Sequence, residues 1–572
     1  MRVIPARHNI AVGLFIAALA GGAAGCATSR TPVPAALPLP LETLQAKLAR
    51  LRPIDLTASV AGLASADRQA LDKLIAAAQL MDPLFLRQVW SGNEALRQKL
   101  EQDDSPSGRA ARQYFRVNAG PWERMDAGHP FLAGVPRVKP PGANFYPEDM
   151  TKAEFEKWVR TLSPAERDKA QGFFHLVRRR PAGAPAAGQL TLVPYSEAYR
   201  EFLEPAARLL REAAALTSNA SLKRFLVSRA EAFASNDYYA SDLAWMDVDA
   251  PIEVTIGPYE TYEDGLFNYK AAFEAFVTIH DDAASAKFAK FSSYLQELED
   301  HLPIAPEYRN PKLGGLAPIR VVDEVFCSGD ANRGVQTAAF NLPNDERVIR
   351  EKGCKRVLLR NVQAAKCQNI LQPIAAQVLA PDNSARVGFE PFFNLILMHE
   401  LAHGLGPTRV NQGGRASTPR QELKDLYPAI EEAKADITGL FALQYLIDKG
   451  VLPRDLERAI YPTFTASFFR SVRFGLAEAH NLDGAMLFNR IMDQGGIVLE
   501  PATGLFRVDI EKMKAATRQI CGEILTIEAE GDYAGARALL NKYAVLRPAM
   551  RQGLDRLTAI PVDIAPHFPL AR

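Results

Sequence analysis

Cysteine and net charge are both scarce in this chain. Only five of its 572 residues are cysteine, and the 67 lysines and arginines nearly cancel the 66 aspartates and glutamates, leaving a net charge of +1. A chain without a basic excess gives no electrostatic reason to propose a nucleic-acid partner. Internal repeats and long low-complexity segments are missing, and the hydrophobic (48%) and charged (23%) contents are ordinary. The length predicts a globular protein of roughly three to four domain-sized units.

The few cysteines fit no zinc-knuckle spacing. Those that follow residue 26 are Cys327, Cys354, Cys367 and Cys521. In an oxidising compartment they can form two disulfides, with three possible connectivities. Cys354 and Cys367 are the pair closest in sequence, and the sequence alone decides nothing further.

The N-terminus holds the apolar segment 10–25, which follows two arginines and is too short to indicate a membrane span. This arrangement is typical of a secretory signal. Ala23-Ala24-Gly25-Cys26 resembles a bacterial lipobox, although alanine stands where leucine is usual. We therefore expect residues 1–26 to be a signal peptide, with lipidation at Cys26. Residues 27–40 are rich in proline and are expected to form an extended tether.

The remaining chain shows mainly helical spacing of apolar residues, as in the stripe Leu71, Leu74, Ile75 and Ala78. Segments rich in β-branched residues predict strands at 250–256, 319–325 and 356–362. We therefore expect an α+β, mainly helical protein. Its predicted parts are an N-terminal helical region plus strand-bearing lobe (41–388) and a mainly helical lobe (389–572).

The segment His399-Glu400-Leu401-Ala402-His403 carries the clearest chemistry. On a helix, residues four apart lie on one face, so His399 and His403 can offer two nitrogens to one Zn²⁺. Glu400 lies beside them, where a carboxylate can take a proton from water. The surrounding apolar run predicts a buried helix that ends at Gly404 and the residues after it. The alternative is a core helix with two ordinary histidines.

A third ligand is expected downstream, because two histidines do not make a zinc site. In the segment Leu426 to Asp436, a proline suits the first turn of a helix. Either Glu431 or Glu432 can face the histidine pair. Asp436 follows Glu432 by four residues and can accept a hydrogen bond from a ligating histidine. The alternative is that this acidic segment is a solvated helix face.

These two segments resemble the motifs of the dipeptidyl peptidase III family of zinc peptidases. H-E-L-A-H-G-L-G-P is similar to its zinc motif, with the shorter histidine spacing, and E-E-A-K-A-D to its second motif, with Ala433 in place of cysteine. Further similar segments occur in the family's order. They are Ile256 to Phe276, Asn341-Leu342-Pro343-Asn344 and Ala477-Glu478-Ala479-His480.

The resemblance implies a role for each candidate residue. The ligands of one Zn²⁺ per chain would be His399, His403 and Glu432. The carboxylates around them would be Glu431 and Asp436. The catalytic groups would be Glu400 as general base, with Tyr262 and His480 stabilising the tetrahedral intermediate. The residues that bind the peptide's free amino terminus would be Glu260, Asn341 and Asn344. The family also has two lobes around a wide cleft, with zinc in the helical lobe and a small β-barrel core in the other.

We therefore expect an exported zinc metallopeptidase on the periplasmic face of a bacterial membrane, anchored as a lipoprotein, that releases N-terminal dipeptides from short peptides. Three alternatives stay open. The first is a zinc aminopeptidase or endopeptidase, and the second is a non-catalytic peptide-binding lipoprotein. The third is an envelope lipoprotein whose zinc only stabilises the fold, which would require a closed shell of four protein ligands.

Overall fold

The computed structural model describes residues 37–126, 128–313, 319–412, 415–476 and 478–571. The predicted signal peptide (1–26), the lipidation of Cys26 and most of the tether lie outside these residues. Export and membrane anchoring therefore stay predictions. In the described ranges, no helix combines the length and the apolar character needed to cross a membrane.

The described chain is mainly helical. In its N-terminal part the helices are α1 (Leu41–Leu48), α2 (Ser65–Gln79), α3 (Met81–Val89), α4 (Asn93–Glu101), α5 (Pro106–Asn118), α6 (Lys152–Thr161), α7 (Pro164–Gln171), α8 (Tyr195–Ala198), α9 (Arg200–Leu216), α10 (Ala220–Ser235), α11 (Tyr239–Met246), α12 (Asp282–Ser292), α13 (Leu295–Asp300), α14 (Glu346–Lys352), α15 (Arg360–Lys366), α16 (Gln372–Val378) and α17 (Pro381–Ser384). The later helices are α18 (Phe389–Ala402), α19 (Pro419–Leu423), α20 (Tyr427–Asp448), α21 (Glu457–Val472), α22 (Ala479–Asp493), α23 (Ile510–Glu530), α24 (Tyr533–Tyr543) and α25 (Pro548–Asp555).

The strands are short and fewer. They are β1 (Leu51–Asp55), β2 (His175–Arg179), β3 (Leu190–Pro194), β4 (Ile252–Glu260), β5 (Ala272–His280), β6 (Ile319–Gly329), β7 (Ala339–Leu342), β8 (Lys355–Leu359), β9 (Val410–Gln412), β10 (Arg415–Ser417), β11 (Ile497–Leu499), β12 (Phe506–Val508) and β13 (Asp563–His567).

One five-stranded sheet forms the strand-bearing part, in the order β4-β5-β6-β8-β7. Its strands pair antiparallel except for β6 and β8, which are parallel. β4 and β5 are buried along nearly their whole length, without the alternation of a half-exposed strand. Both faces of the sheet are therefore covered at these strands, and helices α2, α3 and α10 are among the elements that contact them. This sheet corresponds to the strand-bearing core predicted from the sequence.

The helical part is built around α18 and α20. Apolar residues on most sides of both helices are buried, because α21, α22 and α23 pack around them. The predicted stripe on α2 is buried as expected, at Leu71, Leu74, Ile75 and Ala78. At the chain's end β13 pairs in parallel with β1, so the C-terminal residues pack against the N-terminal region.

The mainly helical α+β class is confirmed, but two local predictions need correction. The strand predicted at 356–362 ends at Leu359, and a helix begins at Arg360. The sequence allowed two disulfides, yet all four described cysteines are free thiols. Cys327 lies on β6, whereas Cys521 lies on α23 beside the Thr438 hydroxyl. Both side chains are buried in the core, where a free thiol packs as a small hydrophobic group. The domain boundary at 388/389 stays a prediction.

Candidate active site

Helices α18 and α20 approach each other closely where the two histidines lie. A Cβ at Gly439 of α20 would come within 3.0 Å of the His399 amide nitrogen and 3.1 Å of the Met398 carbonyl carbon. Only glycine lets the two backbones lie this close. His403 follows the last residue of α18 and keeps helical backbone angles, so both imidazoles point to the same side.

The structure brings three atoms together at this contact: His399 Nε2, His403 Nε2 and one oxygen of Glu432, Oε2. The two nitrogens lie 3.2 Å apart, and they lie 3.4 and 3.8 Å from the oxygen. Ligands placed tetrahedrally at about 2.0–2.1 Å from a zinc ion are about 3.3–3.4 Å from one another. The triangle therefore has the size of one face of a zinc site, and the three residues form a possible metal-binding group.

Glu432 Oε2 is buried and has no hydrogen-bond partner among the described residues. An orphaned buried carboxylate oxygen is costly unless a cation satisfies it. Two imidazoles and one carboxylate form a ligand set that is found in catalytic zinc sites. The residues present therefore fit a zinc ion.

Carboxylates hold the far nitrogen of each imidazole. His399 Nδ1 lies 2.6 Å from Asp436, and His403 Nδ1 lies 2.7 Å from Glu431. Glu431 is itself held by the Tyr427 hydroxyl at 2.9 Å. Such pairs place the imidazole proton on Nδ1 and leave the Nε2 lone pair for a metal.

The electrostatics of this cluster favour a cation. Burial acts against a charged imidazole, but Asp436 and Glu432 outweigh it and raise the pKa of His399 well above its ordinary value. Burial also opposes ionisation of Glu432, yet the neighbouring histidines lower its pKa to about 2. For Glu431, burial is likewise outweighed, chiefly by the Lys434 ammonium, so its pKa is lowered. Glu431 and Glu432 therefore stay ionised beside the histidine pair.

Glu400 is nearly buried, with 9% of its side chain exposed, and lies next to the triangle on α18. The Arg356 guanidinium lies 3.2 Å from its Oε2. Arg356 also donates a hydrogen bond to the Glu400 backbone carbonyl at 2.5 Å. Arg356 of strand β8 thus holds Glu400 of helix α18.

His480 lies in the first turn of α22, beside Glu432. Its Nδ1 is 3.3 Å from Glu432 Oε2, and its ring centre is 6.0 Å from that of His399. The structure therefore places His480 beside the candidate metal ligands. It is positioned to donate a hydrogen bond to a group bound there.

The remaining candidates lie on or after β4 and β7, the two edge strands of the sheet. Glu260 is the last residue of β4, and Asn344 donates to the carbonyl of its neighbour Tyr259 at 2.9 Å. Asn341 lies on β7, and its buried Oδ1 has no partner among the described residues. Tyr262 follows β4 and is 39% exposed. These residues form a second group, in the strand-bearing part.

This second group carries mutually repelling carboxylates. Burial, and then the charge of Asp330, raises the pKa of Glu260 to about 7. Burial and Glu260 raise the pKa of Glu274 well above its usual range. Burial and the same carboxylates raise the pKa of the Tyr262 phenol, which keeps it protonated as a donor. An ammonium group bound here would relieve the repulsion.

Sequence patterns missed Arg356, Gly439 and Tyr427. No local signal identifies Arg356, because its contact with Glu400 crosses from a strand to a helix 44 residues later. Gly439 is a glycine inside a helix, which is itself a hint of close packing. Tyr427 lies four residues before Glu431, one helical turn away, so the spacing offers a weak signal.

Comparisons with known proteins identify the family of this chain. The family model described as Peptidase family M49 matches residues 186–412. Among solved structures, dipeptidyl peptidase III of Caldithrix abyssi is 44% identical with a TM-score of 0.87, over 92% of this chain and 99% of that one. That of Corallococcus sp. strain EGB is 52% identical with a TM-score of 0.75, over 93% and 98%.

Two curated relatives add to this result. Nudix hydrolase 3 of Arabidopsis thaliana is 41% identical over 92% of this chain and 74% of its own length. Human dipeptidyl peptidase 3 is 24% identical over 61% of this chain, and the match spans 54%, about half, of the human protein. The family predicted from the sequence is confirmed. The chain belongs to peptidase family M49 and is a peptidase.

Proposed function

We propose that this peptidase is zinc-dependent and removes dipeptides from the amino termini of short peptides. The triangle of His399, His403 and Glu432, with edges of 3.2 to 3.8 Å, is the observation that carries the zinc assignment. The names of the two bacterial structures, both dipeptidyl peptidase III, support dipeptide release.

The chemistry follows from the residues around the triangle. Zn²⁺ held there would act as a Lewis acid that polarises a carbonyl and lowers the pKa of water to about 7. Glu400 is placed to take a proton from the attacking water and pass it to the leaving amine. His480 and the protonated Tyr262 supply donors for the negative charge that develops on the carbonyl oxygen.

The second group supplies the amino-terminal anchor. Glu260 can pair with the α-ammonium of the peptide, and the orphaned Oδ1 of Asn341 can accept one of its protons. Asn344 is held beside Glu260 by its bond to Tyr259. An anchor that fixes the amino terminus two residues from the scissile bond would limit the product to a dipeptide.

Mass spectrometry of products tests this function. Defined short peptides with free or acetylated amino termini are incubated with the zinc-loaded protein. We expect stepwise loss of dipeptides from the free-amine peptides alone. Cleavage of acetylated peptides, or release of single residues, would reject the anchor and favour an endopeptidase or aminopeptidase. No cleavage despite bound zinc would favour the peptide-binding alternative.

Peptide affinity should depend on pH through Glu260. Its pKa of about 7 means that the carboxylate is lost as the pH falls below 7. A peptide α-amine loses its proton above a pKa of about 8. Affinity should therefore be highest between pH 7 and 8 and fall about tenfold per unit on the acidic side. Equilibrium binding to the E400Q variant, which removes turnover, measures this dependence.

Two controls make that pH experiment specific. Adding E260Q to the E400Q variant should remove the acidic limb, because no carboxylate is left to titrate at that position. Acetylated peptides should bind weakly at every pH. An acidic limb that survives in the double variant would assign the titration to another group.

A further inference from the structure

Arg356 lies between the two groups of the site. It belongs to β8, where it is paired directly with Asn341 of the neighbouring antiparallel strand β7. Residues opposite each other in such a pair have their side chains on the same face, with Cα atoms about 4.5–5.5 Å apart. Arg356 therefore stands beside a residue of the amino-terminal anchor.

The same side chain reaches the helix that carries the proposed general base. Its Nη1 donates to the Glu400 carbonyl at 2.5 Å and lies 3.2 Å from the Glu400 carboxylate. This carbonyl lies in the last turn of α18, where the Gly404 amide donates to Leu401 instead. Arg356 thus supplies a donor to a carbonyl at the end of the helix and a cation at its negative pole.

Two contacts from one nitrogen restrict the Glu400 side chain. The backbone carbonyl fixes the guanidinium, and the guanidinium in turn fixes Oε2, which leaves Oε1 to exchange a proton. The contact is mostly shielded from water, since 18% of Arg356 and 9% of Glu400 side-chain area is exposed. An ion pair shielded in this way keeps more of its Coulomb attraction than one in open water.

We propose that Arg356 is a positioning residue that holds the Glu400 carboxylate at a fixed distance from the amine-binding strand. This inference rests on the proposed function. It adds what fixes the distance between the bound amino terminus and the attacked carbonyl. The span from the amino terminus to the attacked carbonyl is about two residues, or about 7 Å in an extended chain. The amino terminus would be held at Asn341 of β7, and the carbonyl would be attacked beside Glu400. Arg356 contacts Glu400 and is paired with Asn341, so it connects the two ends of this span.

Substituting R356A should lower kcat for a free-amine peptide by about 10–100-fold, because a displacement of about 1 Å at the base has an effect of this size. KM, zinc content and the affinity for a non-cleavable peptide should stay within threefold of the unchanged protein. Millimolar guanidinium should restore part of kcat in R356A. A residue that only stabilises the fold would not give this separation of kcat from KM, nor this rescue.

The matched control is R320A. Arg320 lies on the neighbouring strand β6 and contacts the Val248 carbonyl and Asp249, away from α18. It should keep normal kcat. If R356A fails to fold, R356K decides, since a lysine keeps the charge but not the planar fork. R356K should retain zinc and lose about tenfold in kcat.

The outcomes separate the inference from the proposed function. A kcat for R356A or folded R356K within twofold of the unchanged protein overturns the role of Arg356. That result leaves dipeptide release intact if the unchanged protein still yields dipeptides. If the unchanged protein yields products other than dipeptides, the proposal of dipeptide release is rejected by those products alone. The kcat of R356A then still tests whether Arg356 holds Glu400.

Discussion

Replacing Glu400 by glutamine is expected to lower kcat by about 10²–10⁴-fold, the usual contribution of a general base. Glutamine has nearly the same shape, and the hydrogen bond from Arg356 to the backbone carbonyl of residue 400 does not depend on the side chain, so the site should keep its form. The amide has no carboxylate to take a proton from water. Zinc content and peptide affinity should therefore stay near those of the unchanged protein.

Steady-state kinetics, metal analysis and equilibrium peptide binding together check this expectation. The matched control is E390Q on the same helix, because Glu390 is exposed and paired with Lys287 rather than with the site. E390Q should retain full kcat. An E400Q variant with more than a tenth of normal kcat would show that another group accepts the proton.

The metal half of the site could be predicted because its geometry is local. His399 and His403, like Glu432 and Asp436, are four residues apart, and helical periodicity alone places each pair on one face. What periodicity cannot show is that the two helices meet at these faces. Their contact depends on Gly439, a single small residue inside a buried helix.

The amino-terminal anchor could not be predicted from periodicity. Glu260 and Asn341 lie on β4 and β7, the two edge strands of the sheet, and the hydrogen bond from Asn344 to the Tyr259 carbonyl links the ends of these strands. The family resemblance supplied these residues, while the local pattern of Asn341 to Asn344 is only that of a turn. Strand register is set by long-range packing, which also explains why Arg356 was missed.

Replacing Glu432 by glutamine is expected to abolish both tight zinc binding and peptidase activity. A neutral amide oxygen cannot balance the charge of Zn²⁺, and it leaves two imidazoles as the only strong ligands. The unchanged protein should bind one zinc per chain and gain thermal stability with it, since a ligand that binds only the folded state stabilises that state. E432Q should show neither effect at the same zinc concentration.

Zinc titrations of E432Q and of D448N distinguish loss of a ligand from a general change in helix charge. Asp448 lies at the end of the same helix and accepts from Gln444, so D448N should bind zinc normally. The zinc affinity of D436N should fall between those of E432Q and D448N, about 10–100-fold below normal, because Asp436 orients His399 without binding the metal. If E432Q instead bound zinc as tightly as the unchanged protein, the third ligand would be another group, and Glu431, already bonded to His403, would be the next to test.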